Sequence, residues 1–299
     1  VNINMLRDSD NDPGFYAAAC GDSSAWRGAT LFQSSDGGAS YQSLATMPNA
    51  ATIGKTVDVL GDFHGGNIPD ELNSVTVRLN SGELASVSYA NFMEGLQQAV
   101  IGSEILYFRN AVLNTDGSYT LTGFLRGRRG SEYAMSTHAA RDRFVLLNPG
   151  AMARIPADSA DIGRTRLYKA VTAGGSLDST AQQSFTNEGA GLKPYAPVQV
   201  GGGRNAAGDL TINWVRRTRI GGEWRDSVDV PLGEASEQYQ VDILNGGSVV
   251  RTISTTTPTA TYLASDQVTD FGSAQSAITV NVYQLSVVVG RGYPANATI

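Results

Sequence analysis

The chain has 299 residues, of which 41% are hydrophobic and only 17% charged, with a net charge of −6 and a pI near 5.0. That length holds two domains or one large all-β domain, and the acidic balance excludes a general nucleic-acid binder, because phosphate contacts need a basic surface. No apolar run approaches the ~18 residues of a membrane span, and a single cysteine, Cys20, excludes both a disulfide framework and a cysteine-rich zinc site. Abundant Gly, Ser and Thr point to strands joined by many turns.

Taken in order, Val1–Met5 and Gly14–Cys20 read as strand-like runs around the acidic turn Asp8-Ser-Asp10-Asn-Asp12. An EF-hand loop is excluded there, since Pro13 replaces the required glycine and Ala19 the closing glutamate. The chain opens on Val1 in mid-strand character, so the expectation is a segment of a longer protein. Trp26–Phe32 is a strand. Ser34-Ser-Asp36-Gly-Gly38-Ala-Ser-Tyr41 then has the spacing of an Asp box, in which Asp36 binds turn amides and Tyr41 packs inward. The box occurs once, and no period of roughly 40–50 residues marks a propeller.

Ser74–Leu79 alternates as a strand, and Asn80-Ser-Gly82 predicts a hairpin into Glu83–Val87. Ser88 as N-cap and Gly95 as stop bracket a short helix pinned by Phe92. Strands follow at Gln98–Ile101 and Glu104–Arg109, then a turn at Asn114–Gly117. His64 and His138, the two histidines, fall in polar loops, and no Gly-x-Ser-x-Gly elbow is present.

Tyr119–Tyr133 organises this half of the chain. Tyr119, Leu121 and Gly123 alternate with Thr120, Thr122 and Phe124, so they are expected on opposite faces of a strand. The alternation ends at Leu125, where Arg126, Arg128 and Arg129 arrive between glycines that allow a sharp turn. These arginines could hold a phosphate, a partner's carboxylates or acids of their own chain. The last is favoured, with Glu132 and Asp142 close in sequence. Arg143–Leu147 and Thr165–Val171 are further strands, and 173–193 reads as loop.

From Pro194 the pattern becomes a sandwich: strands at Pro197–Gly201, Leu210–Val215, Tyr239–Leu244, Val249–Ile253, Thr259–Leu263 and Ile278–Leu285, with Trp214 central. Ile278 stands where fibronectin type III domains usually place a core tyrosine. A long insertion carries Arg217, Arg219, Trp224 and Arg225. Either these form an exposed interaction loop, or Trp224 folds back and the arginines pair with Glu223, Asp226 or Glu234. The expected fold is thus all-β, with a β-rich domain over 1–193 and an immunoglobulin-like, fibronectin type III-like sandwich over 194–299.

"GFLRGRRGSEYA" (123–134) and "RFVLL" (143–147) resemble the signature in the C-terminal part of phage tail-tip proteins, the large baseplate-hub or host-specificity proteins of siphophages and gene transfer agents. "WVRRTRIGGEWRD", "VPLGEASEQYQVDIL", "TDFG" and "VYQLSVVVGRGYPA" resemble later landmarks of the same region, in the same order. The resemblance implies a structural virion protein at the tail tip, contacting other tail or baseplate proteins and homotrimeric when intact. No cofactor, metal or nucleic-acid partner is expected. A host receptor or glycan is the further partner the resemblance allows. Two other classes are weighed: a carbohydrate-binding module, from Trp26, Trp224 and Tyr41, and a sialidase-like hydrolase, for which no constellation of acids and nucleophile stands out.

Overall fold

Alternating apolar residues divide the chain into strands, and glycines and Asx residues turn it between them. The computed structural model of the protein describes residues 1–23, 25–223 and 226–299. It contains two compact units: Val1–Asn4 with Asp12–Gly191, and Met5–Asn11 with Leu192–Ile299.

The first unit begins with β1 (Phe15–Ala18), β2 (Ala29–Ser34), β3 (Gln42–Met47), β4 (Ile53–Thr56) and β5 (Asp70–Ser81). Helix α1 (Tyr89–Met93) precedes β6 (Gln98–Ile101), β7 (Glu104–Leu113), β8 (Tyr119–Leu125) and β9 (Arg143–Leu146). It ends with β10 (Met152–Ile155), β11 (Thr165–Thr172) and β12 (Gln183–Thr186). Strands β4-β5-β8-β7-β6-β9 close an antiparallel barrel, so each of them has a neighbour on both sides. Its interior is filled by Val75, Val77, Leu106, Phe108, Leu121, Phe124 and Phe144, all fully buried. Beside it lie the sheet β12-β11-β2-β3 and the pair β1-β10, which share a core of Phe15, Leu31, Met47, Ile155 and Tyr168.

Four expectations are corrected in this unit. Residues 1–5 form no strand. Glu83–Val87 does not return as a hairpin arm, because β5 already spends its two edges on β4 and β8. Leu84 instead drops into the barrel core while Val87 N–H donates to Arg109 O. Within 173–193, β12 adds to β11 and brings Phe185 to within 4.8 Å of the Phe15 ring. In β8, Leu121 and Phe124 enter the same core although their parity differs. Gly123, at φ 69°, adopts a left-handed conformation that interrupts the alternation and turns Phe124 inward.

The β2–β3 turn is tied as its spacing predicts. Asp36 accepts from the Ser40 N–H at 3.0 Å and the Ser34 hydroxyl at 2.7 Å. Those bonds, led by the ones from Ser40, hold the Asp36 carboxyl well below the usual carboxylate range. The helix capped by Ser88 forms too, with its Oγ accepting from Asn91 N–H, Phe92 buried and Gly95 left-handed.

The second unit holds β13 (Val198–Arg204), β14 (Leu210–Val215), β15 (Tyr239–Asn245), β16 (Ser248–Thr255) and β17 (Thr259–Tyr262). Helix α2 (Ala264–Phe271), not foreseen, leads to β18 (Thr279–Ser286), β19 (Gly290–Arg291) and β20 (Ala295–Thr298). The sheet β13-β14-β17 faces the sheet β16-β15-β18, to which β19 and β20 add. Leu210, Ile212 and Trp214 from one sheet meet Tyr239, Val241, Ile243, Ile278, Val280 and Val282 of the other, with the Trp214 and Tyr239 rings edge to face at 5.1 Å. This is the immunoglobulin-like, fibronectin type III-like sandwich, and the protein is all-β. Segment Met5–Asn11 packs with this unit, where Asp8 accepts from Gly221 N–H at 2.7 Å.

Candidate functional site

The antiparallel order of the barrel brings four chain segments to one of its ends: the start of β5, the start of β7, the end of β8 and the approach to β9. Each delivers an ionisable side chain. Arg126 leaves β8 pointing inward, and Gly127 (φ 57°), Arg129 (φ 55°) and Gly130 (φ 79°) then reverse the chain over it. The guanidinium is fully buried. Its Nε and Nη2 donate to the two oxygens of Glu104 at 2.8 and 2.9 Å, and Nη1 donates to Asp70 at 3.0 Å and to the Gly61 carbonyl at 2.9 Å.

Glu104 also accepts from Gly127 N–H at 2.7 Å, and its second oxygen lies 2.7 Å from His138 Nε2. His138 Nδ1 lies 3.0 Å from Asp142. Asp70 is completed by the N–H groups of Leu72 and Asn73. Burial works against charge on both Glu104 and His138. For Glu104 the bonds from His138 and Arg126 outweigh it and hold the carboxyl below its ordinary value. For His138 the bonds to Glu104 and Asp142 outweigh it and raise the imidazole. A carboxylate on each ring nitrogen calls for the imidazolium, which donates from both.

With both nitrogens engaged, His138 offers no lone pair to a substrate. The arrangement is therefore suited to locking one end of the barrel rather than to general-base chemistry. The other histidine, His64, is almost fully exposed, 3.4 Å from Asp62. Among the described residues no group of three or more His, Cys, Asp or Glu is placed to hold a metal.

Of Arg126, Arg128 and Arg129, Arg126 alone enters this network, and its partners are Glu104 and Asp70 rather than Glu132 and Asp142. Arg128 donates to neutral Asn67 at 3.2 Å and lies 5.5 Å from the Tyr107 ring centre. Arg129 contributes its carbonyl, which accepts from Asn4 Nδ2 at 2.6 Å. Among the described residues neither Arg128 nor Arg129 makes an ion pair. Glu132 opens a single 3₁₀ turn, Glu132–Ala134, and packs against Gly127. Asp142 is taken by His138. Local spacing cannot see these choices, because the turn directs Arg126 into the barrel while its sequence neighbours stay outside.

Glu104 and His138 were missed from sequence. A signal for Glu104 exists: it shares parity with Leu106 and Phe108, so strand alternation places a carboxylate on the core face, where only a paired charge is tolerated. Gly127→Ala is expected to destabilise the protein by about 1–3 kcal/mol, since it puts a side chain at a left-handed position. Its Cβ would also lie 2.7 Å from Glu132 Cγ. The urea midpoint measures this, and an unchanged midpoint would contradict the turn geometry.

In the second unit, Arg217 donates to Ala196 O at 2.7 Å and stacks over Tyr195. Arg219 pairs with Glu234 at 2.8 Å, both side chains nearly buried. These two arginines serve their own unit, while Trp224 and Arg225 lie outside the described residues. Trp26 packs against Gly21, with its indole N–H buried. The Tyr41 hydroxyl donates to Gln182, and Lys169 covers its ring.

Comparison with the curated proteins finds no match. Among solved structures, similarity extends to the rat CD45 extracellular region, domains d3–d4 (13% identity, 44% of this chain and 62% of that one, TM-score 0.26). It extends also to the central fibronectin-III array of RIM-binding protein (15% identity, 82% and 68%, TM-score 0.20). The chicken CNTN1 FN1–FN3 domains are similar as well (10% identity, 97% and 98%, TM-score 0.25). At these scores the likeness carries no argument, and the sandwich rests on its own strand order. The match that bears on the site is a family model: residues 51–145, from just before β4 to the third residue of β9, match the C-terminal model of a gene-transfer-agent-like protein family described as Rcc01698-like.

Proposed function

We propose that the chain is a structural part of a phage tail tip or baseplate, the distal region of a hub protein that builds the tail end and presents or anchors host-attachment elements. The observation that supports this most is that the family match, 51–145, coincides with the closed barrel and includes both Arg126 and His138. The landmark strings of the sandwich, which resemble the same tail proteins, add to it. In this reading the protein works in the virion, against other tail or baseplate proteins, without a cofactor and without hydrolytic activity.

The intact protein is homotrimeric in this reading. No heptad or long apolar stripe in 1–299 would drive that by itself, so the threefold contacts are expected mostly outside this segment. A carbohydrate-binding role is the second reading: Tyr41 is tied to Gln182 and Trp26 packs against Gly21, while Trp224 lies outside the described residues.

Antibodies raised against residues 1–299 should label the distal end of the tail in purified particles. Labelling of the capsid, or of no particle at all, would refute the proposal. Light scattering of the isolated chain should report a monomer, and a trimer resistant to dilution would place the assembly contacts within 1–299.

A further inference from the structure

Ala17 and Ala18 end β1, Ala19 follows them, and Ala170 lies on β11 with the parity of Tyr168. These four small side chains leave space that the first unit does not fill, and all four line a cavity of about 420 Å³. The barrel closes its other side. Phe144 fills the barrel core, so Val145 and its cross-strand partner Ile53 face outward, into the cavity. Leu31, Met47, Ile53, Val145 and Phe185 give apolar walls, and Gln183, Ser184 and Cys20 add a few polar groups. Small-molecule sites have this make-up and a volume of roughly 300–1,000 Å³.

One lining side chain is charged at neutral pH, the guanidinium of Arg143. The phenols of Tyr16 and Tyr168 and the thiol of Cys20 are neutral there, and the Val1 amine is pushed down to about 5 by burial and by Arg143. Arg143 makes no ion pair or side-chain hydrogen bond among the described residues. Its sequence neighbour Asp142 is taken by His138 and the Ala139 N–H, and Asp22, whose charge reaches Cys20, forms no ion pair with it. Directly across the strand pair stands a second cation, Lys55, which is exposed and likewise without a carboxylate among the described residues. Arg78 lies opposite Lys55 in turn, but Asp116 neutralises it. Asp58 accepts from the Thr76 N–H at 2.7 Å instead of pairing with either free cation. Like charges set opposite each other weaken a sheet, so an anion at Arg143 would relieve this pair.

We propose that this cavity binds a small apolar acid, an aliphatic or aromatic body carrying one carboxylate, with the body against Leu31, Met47, Ile53, Val145 and Phe185 and the carboxylate on Arg143. A guanidinium offers two parallel N–H donors to the two oxygens of such a head. An inorganic anion would use Arg143 and leave the apolar walls empty. A neutral apolar molecule would leave the cation unpaired, and a cationic amphiphile would be repelled by Arg143 and Lys55. The inference goes beyond the tail-tip reading and does not rest on it.

The full chain is titrated by calorimetry with decanoate, decanol and decylammonium, each below its critical micelle concentration, and separately with acetate. Decanoate should bind at least about tenfold more tightly than decanol, the difference one charge-assisted contact supplies. Decylammonium and acetate should give no measurable heat of binding. Arg143→Gln should bring decanoate down to the affinity of decanol and leave decanol unchanged. Ala170→Leu, which puts bulk into the cavity, should abolish binding of both. The melting temperature of each variant shows that it is folded, and Arg143→Gln, at an exposed side chain, decides the matter if Ala170→Leu is not. Equal binding of decanoate and decanol, binding of decylammonium, or no binding of decanoate would overturn the proposal. So would decanoate binding that Arg143→Gln leaves untouched, which would place it elsewhere, or acetate alone saturating the site, which would reduce it to an anion contact.

Discussion

Arg126→Met is expected to lower the melting temperature by about 10 °C, the largest effect of any single substitution in the barrel. The variant keeps side-chain bulk but leaves Asp70 without a cation and Glu104 with His138 alone, both carboxylates having fully buried side chains. Breaking one side of a buried pair costs about 3–5 kcal/mol, and in a unit of this size each kcal/mol moves the midpoint by roughly 2–4 °C. Arg126→Lys separates charge from geometry. It retains the positive charge but cannot present Nε and Nη2 together to Glu104, so a smaller loss is expected. Calorimetry of the two variants decides this, and an unchanged Arg126→Met midpoint would mean the network does not hold the barrel end.

Stability is expected to be greatest between about pH 4.5 and pH 6.5 as far as this network governs it. His138 is raised from its ordinary value of 6.5, against burial, by Glu104 and Asp142. A raised imidazole contributes fully below 6.5 and loses that contribution as pH climbs through its folded value, so the alkaline side declines. Glu104 is held below its ordinary 4.5, against burial, by His138 and Arg126. Its contribution is complete above 4.5 and is lost as pH falls through its folded value. The groups facing the imidazole are Glu104, Asp142 and, through Glu104, Arg126.

His138→Gln retains a donor for Glu104 but does not titrate. Melting temperatures at about pH 6 and pH 9 should therefore differ less in the variant than in the parent, because only the parent loses a proton from this link as the pH rises. An equal alkaline decline in both would assign that decline to other groups.

Much of the architecture was legible because strand formation is a local matter. Leu210, Ile212 and Trp214, or Val75 and Val77, alternate with polar residues, and period-two burial needs no knowledge of the partner strand. Ser88 and Gly95 likewise delimit α1 through bonds and backbone angles confined to a few residues. Pairing was not legible in the same way. Glu83–Val87 carries a hairpin signal, yet closure of the barrel had already taken both edges of β5, a decision that involves strands as distant in the chain as β9.

The sequence alone determined that the chain is all-β, that a sandwich with Trp214 in its core occupies the C-terminal part, and that the chain must turn sharply after Leu125. Only the tertiary structure decided what the turn is for. Arg126 finds Glu104 and Asp70 at separations of 22 and 56 residues, and His138, in the loop before β9, becomes a buried link between two carboxylates. Arg128 is left on the outer wall beside α1. Which of three neighbouring arginines is buried depends on the direction each leaves a left-handed turn and on the acids that barrel closure happens to carry there. Residue identities name the candidates, but the three-dimensional path of the backbone makes the choice.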